Sequence, residues 1–154
     1  MTRTILVIED GTEYVDAMRS LAPSDAVELV RAEDLVEARR ALAERRIDAV
    51  FLDVVFDRIA AEKLAGDWES LLHRYGGDRR RAERHLAENQ GFYLLNELAP
   101  LLPEGIPVVI AYDFAAEPRR LAALRRRCPQ LSGLADGTAI SAVLSLLTAS
   151  PLSA

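Results

Sequence analysis

Two short apolar runs in this chain end in carboxylates. Thr4-Ile5-Leu6-Val7-Ile8 leads into Glu9 and Asp10, and Ile47-Asp48-Ala49-Val50-Phe51-Leu52 leads into Asp53. Acidic residues are common on loops, yet here both runs end in them. Three carboxylates drawn to one rim repel strongly, and at least one pKa rises unless a cation neutralises them. Hard, oxygen-only ligation of this kind suits Mg2+ or Mn2+. A divalent ion beside Asp53 would screen its carboxylate as it attacks a phosphoryl group.

Other reactive side chains offer less. His73 and His85 lie close in sequence without the further ligands a metal site needs, and read as surface histidines. Cys128, the one cysteine, excludes an internal disulfide and a cysteine-based metal site. No glycine-rich phosphate loop follows the first strand. Of the 19 basic residues only Lys63 is a lysine, so a mechanism that needs a lysine has one candidate.

The elements that position the acids follow from periodicity. The first run is a short β-branched strand, and Tyr14, Val15, Met18 and Leu21 then fall at helical spacing before Pro23. Ala26 to Val30 alternates like a strand, and Asp34 is a candidate N-cap for a helix through Arg46 with Leu35, Ala38, Ala41 and Leu42 inward. The run ending in Asp53 has no alternation, the pattern of a strand buried on both faces. Ile106 to Ala111 is a fourth strand, with Pro107 early enough to cost no ladder hydrogen bond. A helix over Arg119 to Arg127, a short strand at Leu131 to Leu134 and a helix from Thr138 to Leu147 close the pattern, and the tail from Thr148 reads as frayed. Strands alternating with helices predict an α/β fold with a five-stranded parallel sheet and helices on both faces. Ligands in such sheets bind at the C-terminal ends of the strands, where Asp53 stands.

The stretch from Asp57 to Gly91 is too long for a simple strand-to-helix connection. Ile59, Leu64, Trp68, Leu71, Leu72 and Tyr75 form an apolar stripe on one expected helix ending at Gly76-Gly77. Asp78 can cap a second, with Ala82, Leu86 and Asn89 on one face, that continues through Gly91. The expectation is a helical hairpin over residues 58–90, projecting beside Asp53, with Trp68, Leu72 and Leu86 as its interface residues.

Composition bounds the rest. With 154 residues, half of them hydrophobic and 28% charged, residues 1–154 fit a single soluble domain. No apolar run is long enough to span a bilayer and no signal-peptide pattern opens the chain, so a cytoplasmic location and no membrane contact are expected. A net charge of −5 argues against direct nucleic-acid binding. Arginines gather at Arg79, Arg80, Arg81 and Arg84 and again at Arg119, Arg120, Arg125, Arg126 and Arg127, as solvated helix faces or as a docking surface for an acidic partner.

The acid pair, the strand-end Asp53, and Gly91-Phe92-Tyr93-Leu94-Leu95 followed by Ile106-Pro107-Val108-Val109-Ile110 resemble the receiver domain of two-component response regulators, over residues 3–57 and 90–147. The resemblance implies a flavodoxin-like fold, strand order 2-1-3-4-5, with Asp53 as phosphoacceptor. It makes Glu9 and Asp10 the Mg2+-binding acids, with the backbone carbonyl of Val55 completing the ligands. It also implies a histidine kinase or phosphotransfer protein as donor. The family's hydroxyl residue at the end of strand four falls on Ala111 or Tyr112, and its lysine at the end of strand five on Leu134-Ala135-Asp136. Only Lys63 or an arginine could substitute, and Asp57 replaces a frequent proline. The expected function is an atypical stand-alone receiver, not an enzyme, that signals by contact with a downstream protein or a second copy. A phosphorylation-independent pseudo-receiver for binding or dimerisation is the second reading, and a Mg2+-dependent hydrolase the third.

Overall fold

The computed structural model describes residues 2–149. Five parallel strands, β1 (Arg3–Ile8), β2 (Val27–Ala32), β3 (Ala49–Leu52), β4 (Val108–Ile110) and β5 (Leu131–Ser132), form one sheet in the order β2-β1-β3-β4-β5. β3 and β4 are buried throughout, as runs of Ala, Val, Phe, Leu and Ile without alternation must be. The expected sheet order is the one observed.

Helices cover both faces. α1 (Glu13–Leu21) and α7 (Ile140–Thr148) pack Val15, Met18, Val143, Leu144 and Leu147 onto Ile5, Val7, Phe51 and Val109. The opposite face carries α2 (Leu35–Glu44), α5 (Gln90–Leu98) and α6 (Pro118–Arg125), with Ala38, Leu94 and Leu98 set against Leu6, Val50 and Ile110. Asp34 caps α2 as its type and position predict, accepting from the Glu37 N–H at 2.9 Å. Residues 150–154, most of the tail read as frayed, lie outside the described residues.

Residues 57–90 depart from their sequence reading in three ways. The apolar stripe is not one helix: α3 spans only Trp68–Arg74, preceded by a single tight turn at Ala61–Lys63. That turn closes at Leu64, Gly66 at φ 134° bends the link that follows, and Asp67 starts α3 by accepting the Ser70 N–H at 3.0 Å. α4 (Arg79–Glu88), capped by Asp78, stops at Asn89 instead of running on through Gly91. Finally, the pair does not project. Leu64, Ala65, Leu71, Ala82 and Leu86 belong to the same buried cluster as Leu6 and Val50, and the Phe56 N–H donates to the Ala87 carbonyl at 2.8 Å.

Candidate functional site

Strand register assembles the site. Ile8 lies opposite Leu52, and the Asp53 N–H donates to the Ile8 carbonyl at 2.9 Å, so Glu9 and Asp53 leave the sheet side by side on the α1/α7 face. Leu52 lies opposite Ile110, which puts Ala111 next to Asp53. Val109 lies opposite Ser132, which puts Leu134 next to Ala111. One row across the rim therefore reads Glu9, Asp53, Ala111, Leu134.

Glu9 is 1% exposed, and its two carboxylate oxygens accept the N–H groups of Tyr14 (3.1 Å) and Val15 (2.8 Å) at the start of α1. Those amides have no partner inside the helix, so the carboxylate fixes the turn between β1 and α1. Burial nevertheless pushes the Glu9 pKa above its usual range. Asp10 accepts the Arg58 N–H at 2.9 Å, while the Arg31 guanidinium donates to the Asp10 carbonyl at 3.0 Å. Asp53 accepts the Val54 N–H at 2.9 Å. Its pKa is pushed up to about 6, first by burial and then by the charges of Asp10, Glu9 and Glu13, with only the Val54 amide opposing.

The three acids expected at one rim lie there, Glu9 and Asp53 by register and Asp10 near enough for its charge to act on Asp53. Among the described residues no three acidic, imidazole or thiol side chains converge as metal ligands, because Glu9 is committed to the α1 amides. The Val55 carbonyl accepts no hydrogen bond from the described residues.

Gly91 holds the other side of the site. Its N–H donates to the Val54 carbonyl at 3.0 Å, and a β-carbon there would lie 2.3 Å from the Asp53 carbonyl oxygen. Only glycine lets α5 approach this backbone.

The remaining predicted residues separate. Ala111 shares the Asp53 face. Tyr112 turns to the opposite face, where its ring meets Phe92 (5.1 Å) and Phe114 (4.9 Å) edge-on and its hydroxyl donates to the Glu117 carboxylate. The Arg120 guanidinium lies 3.9 Å from the Phe92 ring centroid and donates to the Tyr112 oxygen at 3.3 Å. Lys63 is drawn away from the pocket role: its ammonium pairs with Glu33 at 3.2 Å and lies 3.8 Å from Asp34. Trp68 and Leu72 are partly buried against the core, with the Arg79 guanidinium 5.2 Å from the indole centroid. Leu86 is fully buried and cannot touch a partner, because the face of α4 that carries it is turned inward.

Two residues beside the acids escaped sequence reading. Arg58 pairs with Glu13 at 2.6 Å over Gly11, and the Tyr14 ring packs at a tilt against Phe51. No spacing signal marks Arg58, and Tyr14 has the spacing of ordinary helix packing.

No protein-family model matches the sequence, and none of the curated proteins does. Solved structures do. A response regulator from Burkholderia pseudomallei, crystallised with a phosphorylated aspartic acid, calcium and citrate, superposes with TM-score 0.59 at 14% identity over 95% of this chain and 66% of that one. NtrX from Brucella abortus gives 0.55 at 19% identity over 94% of this chain and 26% of that one, so this chain spans about a quarter of that protein's length. The Francisella response regulator 1452 receiver domain gives 0.56 at 12% identity over 93% and 91%. The fold is that of response-regulator receivers, with the acids on the rim where such parallel sheets bind their ligands.

Proposed function

We propose that this chain is an atypical receiver that accepts a phosphoryl group on Asp53 and signals through protein contacts. The carrying observation is the Asp53 carboxyl, half-sheltered at the central strand's end, its pKa pushed up to about 6 by burial and by neighbouring acids. Such a carboxylate gains from a bound cation and is a nucleophile once one is present. The Burkholderia structure of the same fold holds a phosphorylated aspartic acid and calcium.

Asp10, Asp53 and the Val55 carbonyl fit a Mg2+ or Mn2+ ion, because two carboxylates and one carbonyl leave places for the waters Mg2+ retains. Bound there, the ion would offset the charge of the phosphoryl oxygens. The chain's own groups do the rest. The Val54 N–H holds one Asp53 oxygen, and the other attacks phosphorus. The P–N bond of a phosphohistidine breaks, its electron pair leaving with the imidazole, which takes up a proton. From an acyl phosphate, the P–O bond breaks and a carboxylate leaves. Glu9 and Arg31 keep Asp10 and Gly11 in place throughout.

A histidine kinase or phosphotransfer protein is the proposed donor. Residues 58–90 are an insertion relative to the family, and Trp68 and Leu72 on α3 are the contact residues that remain. One observation favours a phosphorylation-independent reading as the second choice: Ala111 beside Asp53, and Leu134 beyond it, offer neither a hydroxyl nor an ammonium.

Incubation with acetyl phosphate and Mg2+, followed by intact mass, separates the two. A phosphoryl adduct that is lost in Asp53→Asn is expected. Absence of the adduct together with absence of Mg2+ affinity leaves the second reading, and steady release of phosphate from an ester would mean a hydrolase.

A further inference from the structure

A phosphoryl group on Asp53 would meet no donor from the adjoining strands, since the row beside it is Ala111 and Leu134. The nearby cations already have partners: Arg58 pairs with Glu13, and Arg31 donates to the carbonyls of Gly11 and Asp10, while Lys63 is held away at Glu33. Tyr14 is placed differently. Its backbone is fixed by Glu9, and its ring lies 4.6 Å from that of Phe51, tilted by 48°. Phe51 and Asp53 are two residues apart on β3 and so face the same way. The Tyr14 ring packs with Ala111 and Leu134 in the α1/α7 core and lines, with them, Ala135 and Thr138, a cleft of about 160 Å³ that Asp113 and Asp136 also border. Its side chain is half-buried, and its hydroxyl makes no hydrogen bond to a described residue and is open to water.

We infer that the Tyr14 hydroxyl donates a hydrogen bond to a phosphoryl oxygen carried by Asp53, in the place left empty by the small and apolar ends of β4 and β5. Two observations support it: Tyr14 packs on the face that Asp53 shares, with the small side chain of Ala111 in the same cluster, and its hydroxyl is free to exchange water for an acceptor there. Burial, then the charges of Asp53 and Glu9, raise the phenol's pKa, which keeps it protonated as a donor. The inference rests on Asp53 being the phosphoacceptor.

The test uses beryllofluoride with Mg2+, a stable mimic of a phosphorylated aspartate. Wild type is expected to bind it and to show a tyrosine ultraviolet difference spectrum. Tyr14→Phe keeps the ring against Phe51 and removes only the hydroxyl. It should bind on the order of ten-fold more weakly, as for a lost hydrogen bond to a charged group, and lose the difference band. Tyr93→Phe, far from the rim, should change neither. Equal affinity and an unchanged band in Tyr14→Phe overturn the Tyr14 role and leave the phosphoacceptor reading standing. Failure of wild type to bind beryllofluoride, with no adduct from acetyl phosphate, overturns both. If Tyr14→Phe does not fold by circular dichroism, 3-fluorotyrosine at position 14 answers the same question: its fluorine resonance shifts on beryllofluoride, and an unmoved resonance in a protein that binds the mimic overturns the role.

Discussion

Burial costs both Asp53 and Glu9, but Glu9 is the better compensated. Glu9 is offset by two amide donors, whereas Asp53 has one and faces other acids. Its folded pKa of about 6 lies above the ordinary 3.8, so its contribution to stability is fully present below pH ~4 and is lost as pH rises through about 6. Without metal, Asp53→Asn should therefore unfold at higher temperature than wild type at pH 8, by about 1–2 kcal/mol after allowing for partial solvation. The gain should shrink towards zero below pH 4 in thermal melts with chelator. The same carboxyl must lose a proton to bind Mg2+, so metal affinity should fall as pH drops through 6 in calorimetric titrations. Gly91→Ala would drive a methyl into the Asp53 backbone and should destabilise by about 2–4 kcal/mol in denaturant unfolding. The acids were legible in sequence because each follows an uninterrupted β-branched run. Tyr14 and Arg58 were not: a tyrosine at helical spacing reads as packing, and Arg58 reaches Glu13 only because the chain turns after β3.

The α3–α4 pair is fastened by one buried polar side chain. Gln90, fully buried, accepts the Ala65 N–H at 2.7 Å and donates to the carbonyls of Ala65 (2.9 Å) and Leu86 (3.1 Å). Replacing it with Leu removes all three bonds and strands the Ala65 backbone away from water, a cost of about 2–4 kcal/mol. Hydrogen exchange should then accelerate first over residues 59–67. Local pattern does not reveal this role, because a glutamine at a helix start ordinarily faces solvent. Leu86 was misjudged for a related reason: the apolar face of α4 was recognisable, but not that the core already reached it. Excising residues 58–89 would strip Leu64, Ala65, Leu71, Ala82 and Leu86 from the shared cluster. Loss of cooperative unfolding is therefore expected from that deletion, and the contact role of α3 is better probed by Trp68→Ala and Leu72→Ala, with molecular mass in solution as the readout.

Across the whole molecule the sheet separates two tasks. The α1/α7 face holds Glu9, Asp53 and Tyr14, and the opposite face holds the Phe92–Tyr112–Phe114 cluster under Arg120. A parallel sheet covered on both faces followed from apolar runs alternating with amphipathic segments, whereas its order came with the resemblance to receivers. Where β4 turns its last side chains did not follow, since Ala111 and Tyr112 differ by a single step and only register decides between them. Among the described residues no helix is long and apolar enough to cross a membrane. One placement has an optical consequence. The chain has a single tryptophan, Trp68, on α3 and under Arg79, while the acids lie at the sheet rim. Its emission reports α3 and α4 and is blind to the acid site itself, so a change in fluorescence on addition of beryllofluoride would register transmission between the two, and a silent tryptophan in a protein that binds the mimic would mark α3 as a fixed surface.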